Sequence, residues 1–350
     1  MSPAAPASRE DQAALVDSVR RMLADRCGEA DVRRIMDGES GHDPALWRAL
    51  ADLGLTGLTV PAAHGGAGLS AVELELVMEE AGAALLPAPL LSSAIAAALL
   101  AHDAEALAGL TAGTPAAVAF AGAYDWTGSA SLTIGDGRIS GVLRFVPDAA
   151  VAETILIAHE RGAFAVRREH AIVTPLPVFD RTSRLFEVTV DAPIRQVADT
   201  DGVARAWDIA LVGLAGEQAG AARRLLEITV DYARTRHQFG RAIGSFQAIK
   251  HMAADLLLES ESAISAARDA ARQVAEDAPG KDAAVALAAF ACADAFVRVA
   301  KDAVQMHGGI AFTWEHPAHL YLRRARSAAQ LYGDPSVWRE RYVRALEAMA

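Results

Sequence analysis

The stretch Tyr232-Ala-Arg-Thr-Arg-His-Gln-Phe-Gly-Arg-Ala-Ile-Gly-Ser-Phe-Gln247 places arginines, an aromatic ring and two glycines where a helical pattern breaks. Such a break can hold a phosphate. Arg234 and Arg236 offer rigid guanidinium forks for pyrophosphate oxygens, and Gly240 lets backbone approach a ligand closely. Gln247 opens the next helix with an amide able to read a nucleotide edge. The competing reading is an ordinary basic helix end with a glycine stop, because the helix dipole favours Arg near a C-terminus anyway.

Around this stretch, from about Val203 to Met349, apolar residues keep helical spacing. Leu211, Leu214, Ala215, Ala222, Leu225, Leu226 and Thr229 form one face. Ile249 to Glu276 and Asp282 to Gln305 are predicted as long Ala-rich helices, and four helices of such length make a bundle. Between Ala116 and Ala198 the pattern differs. β-Branched residues cluster in Ala117-Val-Ala-Phe120, Thr154-Ile-Leu-Ile157, Ala171-Ile-Val-Thr174 and Leu185-Phe-Glu-Val-Thr-Val190. Turn pairs such as Gly135-Asp-Gly137 separate them, so an antiparallel β module is expected. Strands without intervening helices exclude a doubly wound nucleotide fold.

Asp11 to His102 is helical again, with Val16, Val19, Met22 and Leu23 on one stripe and Leu46, Trp47, Leu50 and Leu53 on another. Asp43-Pro44 reads as an N-cap followed by Pro at the first helical position. The expected fold is therefore α+β: an N-terminal helical domain over 1–110, a middle antiparallel β module over 111–202, and a C-terminal four-helix bundle over 203–350. Composition shifts near Leu110 and Val203 mark the joints, and no internal repeat is visible.

With 350 residues, 52% of them apolar, the chain can bury a large core. A net charge of −11 argues against nucleic acid as a partner, since phosphate backbones need a positive field. Cys27 and Cys292 are far apart and lack metal or redox spacing, which suits reduced thiols in a cytoplasmic protein. Met1 to Arg9 lacks a signal-like apolar core and reads as a frayed tail. The apolar stretch Ala81 to Ala101 is cut by Pro87 and Pro89, as in a buried helix pair rather than a membrane span. His307, His316 and His319 raise a metal reading, but no further ligands are at hand, so no metal is expected.

Three segments together resemble the acyl-CoA dehydrogenase family. They are the Tyr232 stretch, the run Leu46 to Pro61 with His64-Gly-Gly-Ala-Gly68, and Ala303-Val-Gln-Met-His-Gly-Gly-Ile-Ala-Phe-Thr-Trp-Glu-His316. The resemblance implies α,β-dehydrogenation of an acyl-CoA thioester with FAD, in an oligomer served by an electron-transfer acceptor. It further implies that Arg236, Phe239 and Gly240 contact the FAD pyrophosphate, with Gln247 close by. Gln305, Gly308 and Gly309 would approach the adenosine half from a neighbouring subunit. The loop Gly65 to Gly68 follows no βαβ strand and is as well read as a packed turn.

The chain departs from the family in two places. The flavin-facing loops of the family's middle module correspond here to Ala119-Phe-Ala-Gly-Ala-Tyr-Asp125 and Leu143-Arg-Phe-Val-Pro-Asp148, where no flavin-facing groups are recognisable. The usual catalytic Glu falls on Tyr332 or, with a one-residue shift, Gly333, and the minority position falls on Ala210. None of these can act as a carboxylate base. Asp334 and Glu217 are the substitute candidates, against readings as a solvated turn former and as one half of a structural ion pair with Arg224 or another bundle residue. Two functional classes follow from the resemblance. One is a dehydrogenase of a bulky or unusual acyl-CoA with a relocated base. The other is a subunit that completes an FAD pocket while a paralogous partner supplies the base. A non-redox or purely structural role for the fold is a third.

Overall fold

A computed structural model of the chain describes residues 6–38 and 40–349. The expected frayed tail therefore lies partly outside the described residues, while Ala7 donates its N–H to Glu73 and Arg9 already opens the first helix. Six helices come first: α1 (Arg9–Arg26), α2 (Glu29–Asp37), α3 (Pro44–Asp52), α4 (Ala71–Ala83), α5 (Leu90–Leu99) and α6 (Ala104–Thr111). Eight strands follow: β1 (Ala116–Phe120), β2 (Ser131–Gly135), β3 (Arg138–Pro147), β4 (Thr154–His159), β5 (Gly162–Arg167), β6 (Ala171–Pro175), β7 (Leu185–Pro193) and β8 (Gln196–Ala198). Then come α7 (Thr200–Thr235), the short hairpin β9 (His237–Gln238) and β10 (Arg241–Ala242), α8 (Gln247–Ala275), α9 (Lys281–His307), α10 (Ala318–Ala328) and α11 (Pro335–Met349). Helix, strand and helix alternate where composition shifts in the sequence.

The chain divides into two compact units. Of the described residues, the first holds 6–8, 30–74 and 87–211. Its α3 begins as the sequence predicts, with Asp43 accepting from the N–H groups of Ala45 and Leu46 ahead of Pro44. Two four-stranded sheets, ordered β1-β4-β5-β8 and β2-β3-β7-β6, share a core that includes Ile139, Leu143, Ile155, Ile157, Phe164 and Val188. Strand β1 packs against both α5 and β3 and is buried along its whole length, whereas β2, with one face in water, alternates. The module is not antiparallel throughout. β1 and β4 run parallel, because the chain builds β2 and β3 into the other sheet before returning, a connection long enough for a crossover.

The second unit holds Arg9–Glu29, Glu75–Leu86 and Val212–Ala350. Its long elements are α7, α8 and α9. The shorter α10 and α11 both pack on α9. Among the described residues one helical region is long and apolar enough to cross a membrane, Lys281–Phe312, which includes α9, and 61% of its apolar window is buried inside the protein. The end of α4 crosses α7 backbone to backbone. A Cβ on Gly220 would lie 1.8 Å from the Glu79 carbonyl oxygen, and one on Gly82 would lie 1.9 Å from that of Glu217. Buried acids seal the crossing: Glu79 meets Arg268 at 3.0 Å and Arg223 at 3.4 Å, and Glu80 meets Arg223 at 2.8 Å and Arg20 at 2.9 Å.

Candidate functional site

α7 ends at Thr235, and the backbone then folds into the β9–β10 hairpin, closed by Ile243 N–H donating to the Arg236 carbonyl at 2.8 Å. At its tip Phe239 and Gly240 both have positive φ, 55° and 80°. The Phe239 ring is 91% exposed, and a Cβ on Gly240 would meet nothing within 4 Å. Arg234 is spent locally on Asp231 at 3.3 Å. Arg236, exposed, has no side-chain hydrogen bond or ion pair among the described residues. The guanidinium of Arg241 lies over the Phe246 ring at 3.9 Å. Gln247 begins α8, whose first turn has no side-chain cap. The hairpin thus carries uncommitted positive charge, an exposed ring and open backbone donors, which is what a dinucleotide's diphosphate and ring system require.

The second predicted segment ends α9. Gln305 is exposed, and Gly308 (φ 68°, ψ −144°) turns the chain in a conformation that a side chain would strain. A Cβ on Gly308 or Gly309 would touch nothing, so the turn presents bare backbone. Sequence reasoning assigned this segment and the hairpin to different subunits of a site. In the folded chain the helix ends that bear them meet. Tyr232 stacks on His307 with ring centroids 4.5 Å apart, and its hydroxyl donates to the His307 carbonyl at 3.4 Å. His316 lies against His307 at 4.2 Å, while His319 faces Trp314 at 4.6 Å. Among the described residues no three His, Cys, Asp or Glu side chains gather as metal ligands.

Both candidate carboxylates have structural commitments. Glu217 is buried and accepts from the Arg324 Nε at 2.7 Å, while Arg224 turns instead to Glu227. Asp334 is exposed and caps α11. It accepts from the Ser336 N–H at 2.8 Å, and Ser336's side chain and N–H hold its carboxyl below the ordinary range. Of the two positions expected for the family's Glu, Tyr332 is buried with φ 62° and Gly333 has φ 119°.

In the first unit, the segment Ala119 to Asp125 ends β1 and is pinned from outside. Glu160 accepts from the Ala123 N–H at 2.7 Å, which holds the Glu160 carboxyl low. Tyr124 and Phe120 both stand edge-on to Trp207, at 5.3 and 4.4 Å. Leu143 to Asp148 contains a β-bulge in which Phe145 has φ 57°, its ring 5.9 Å from Trp126. A bulky aromatic in the left-handed region is strained, and such strain gathers at functional sites. Sequence reading missed Phe145 because no local residue pattern announces the bulge. It missed the Tyr232–His307 stack because the two rings are 75 residues apart.

Comparison with known proteins agrees with this geometry. Residues 9–107 match the acyl-CoA dehydrogenase N-terminal domain and residues 208–346 the acyl-CoA dehydrogenase C-terminal domain. The acyl-CoA dehydrogenase IpdE2 of Mycobacterium tuberculosis is 36% identical over 75% of this chain and 76% of its own length. Among solved structures, the ChsE4–ChsE5 complex of Mycobacterium tuberculosis superposes with a TM-score of 0.88 at 28% identity, covering 97% of this chain and 98% of that one. A variant of the Tcur3481–Tcur3483 steroid ACAD does so with a TM-score of 0.88 at 26% identity and the same coverage. Both terminal domains match one family and the helix–sheet–helix order agrees with its solved members: the chain belongs to the acyl-CoA dehydrogenase family, whose members are flavin oxidoreductases.

Proposed function

We propose that this chain serves in the FAD-dependent α,β-dehydrogenation of an acyl-CoA thioester with a bulky acyl group. Arg236 would neutralise the diphosphate, Phe239 and Gly240 would pack along it, and Gln247 would lie beside it. Gln305, Gly308 and Gly309 would receive the adenosine half. FAD, when bound, supplies the acceptor for the β-hydrogen as hydride, while a carboxylate must take the α-proton. The reading rests on one observation: Arg236 stands exposed with no side-chain partner among the described residues, beside the exposed Phe239 ring, and the Gly308–Gly309 backbone is exposed as well. The bulky acyl group is supported by the similarity to a steroid ACAD.

A second observation favours a divided site. Glu217 neutralises a buried arginine and Asp334 caps a helix, so each carboxylate already has a structural partner. A paralogous partner that supplies the carboxylate fits this, and the similar ChsE4–ChsE5 structure is a complex. The test is co-production. The chain alone is expected to be poorly flavinated and inactive, and to become yellow and active with a paralogue encoded beside it. A bright yellow, active homo-oligomer whose activity is lost in Asp334→Ala or Glu217→Asp would place the base in this chain instead. Arg236→Ala is expected to weaken flavin retention by about 1.5–3 kcal/mol, the worth of a hydrogen bond to a charged group, read as flavin absorbance per protein.

A further inference from the structure

We propose that Tyr232, His307 and His316 form a three-ring clamp that holds the Arg236 hairpin and the Gly308–Gly309 turn in one fixed relation, so that both close on the same dinucleotide. The inference rests on the FAD reading above and assigns Tyr232 and His307 as positioning residues within it.

The geometry is local at each end. Arg236 lies one helical turn beyond Tyr232, its N–H donating to the Tyr232 carbonyl at 2.8 Å, so a movement of Tyr232 carries the base of the hairpin with it. His307 is the last residue of α9, and its carbonyl, which accepts from the Tyr232 hydroxyl, leads directly into Gly308. The two glycines have no side chains with which to anchor their turn, and a Cβ on either would find no neighbour. On the α9 side the turn is held by Gly308 N–H donating to Val304 and by His307, while the buried Ala311 anchors its far end.

The imidazole is fixed in turn. Its Nδ1 lies 2.7 Å from the Ala303 carbonyl, an acceptor only, so Nδ1 carries the proton. His316 completes a three-ring cluster around His307, 4.2 Å from His307 and edge-on to Tyr232 at 6.0 Å, with its own Nδ1 accepting from the Ala318 N–H at 3.2 Å. Each ring is therefore oriented by backbone, and the stack ties α7, α9 and the start of α10 together beside exposed motif residues. A ligand meeting both motifs then binds a preformed surface, which removes the ordering cost that two loose segments would impose.

Amide hydrogen exchange on the full chain tests the clamp. In Tyr232→Ala, exchange at Gly308, Gly309 and the 236–241 hairpin is expected to quicken by about tenfold or more, the sign of local opening. Tyr232→Phe, which keeps the ring, should restore slow exchange. Unchanged exchange at the glycines in Tyr232→Ala overturns the proposal. Should that variant loosen α8 and α9 throughout, the half-buried His316→Ala is read in its place against the same two outcomes. Flavin retention separates this idea from the reading beneath it. Loss in both Arg236→Ala and Tyr232→Ala supports the clamp, and loss in Arg236→Ala alone overturns it while leaving FAD binding intact. No loss in Arg236→Ala overturns the FAD reading, and exchange alone then decides the clamp.

Discussion

Glu75 has both carboxylate oxygens buried and without a hydrogen-bond partner among the described residues. Burial, with Glu79 nearby, pushes its pKa from an ordinary 4.5 up to about 8, against the pull of Arg268 and Arg223. Below pH 4.5 the folded and unfolded chains both hold this proton. Between 4.5 and 8 only the folded chain does, so stability falls as pH rises across that window and levels off above it. Each pH unit inside the window weakens folding by about 1.4 kcal/mol from this group. Glu75→Gln should flatten that slope and raise the melting temperature most at pH 8. A parallel pH profile in the variant would remove Glu75 as the cause. Glu217 tests the opposite situation, a buried charge that is matched. Glu217→Ala removes the carboxylate that faces the buried Arg324 and is expected to cost about 3–5 kcal/mol in denaturant unfolding, whereas replacing both residues by apolar ones of similar volume should cost far less. Equal losses in the single and double variants would mean that the pair contributes packing alone.

Helices cross closely only where side chains are missing, and α4 on α7 is such a place. Gly220→Ala would drive a methyl group into the Glu79 backbone at 1.8 Å, which no rotamer relieves. A loss of at least about 1–3 kcal/mol is expected, the range for overpacking. Gly244→Ala, whose Cβ would stand 2.9 Å from the Ala233 carbonyl, should cost less. Equal melting temperatures for Gly220→Ala and wild type would refute the crossing. Asp43→Ala, at a capped helix start, should cost about 1 kcal/mol. The contrast between these positions explains what the sequence makes legible. Asp43-Pro44 is a local instruction, and so are the ends of α8 and α9, which fall within two residues of the predicted spans. The four predicted strands appear for the same reason, since β-branched runs between turns need no distant partner to be recognised. Gly216 and Gly220 looked like part of a small-residue helix, but their partner α4 lies well over 100 residues upstream, and no spacing rule points to it. The arginine that neutralises Glu217 is 107 residues away. At the site the outcome divides the same way: Arg236, Phe239 and Gly308 were readable as motif residues, while the Phe145 bulge and the ring stack are products of tertiary contact.

At the scale of the whole chain, the residues assigned to FAD are exposed, and so are several large apolar side chains of the same unit. In the second unit Leu258 is 69% and Phe312 75% exposed, with Leu257 and Trp314 also largely uncovered. Scattered exposed leucines need no explanation, but adjacent ones on α8 together with an uncovered aromatic hairpin suit a surface that another subunit covers. The −11 net charge opposes indiscriminate self-association and leaves apolar contact as the attraction. The chain is therefore expected to sediment as an oligomer, with itself or with a paralogue, at micromolar concentration. Leu258→Glu should shift it toward monomer while leaving its far-ultraviolet circular dichroism unchanged, since the side chain already faces solvent within the chain. If the dinucleotide lies across the subunit boundary, the same variant must also shed flavin, and dilution of the wild type must lower flavin content in step with the oligomer fraction, as mass action requires. A Leu258→Glu monomer that kept its flavin would place the whole cofactor site within one chain, and the Arg236 hairpin and the Gly308–Gly309 turn would then serve a FAD bound without a neighbour.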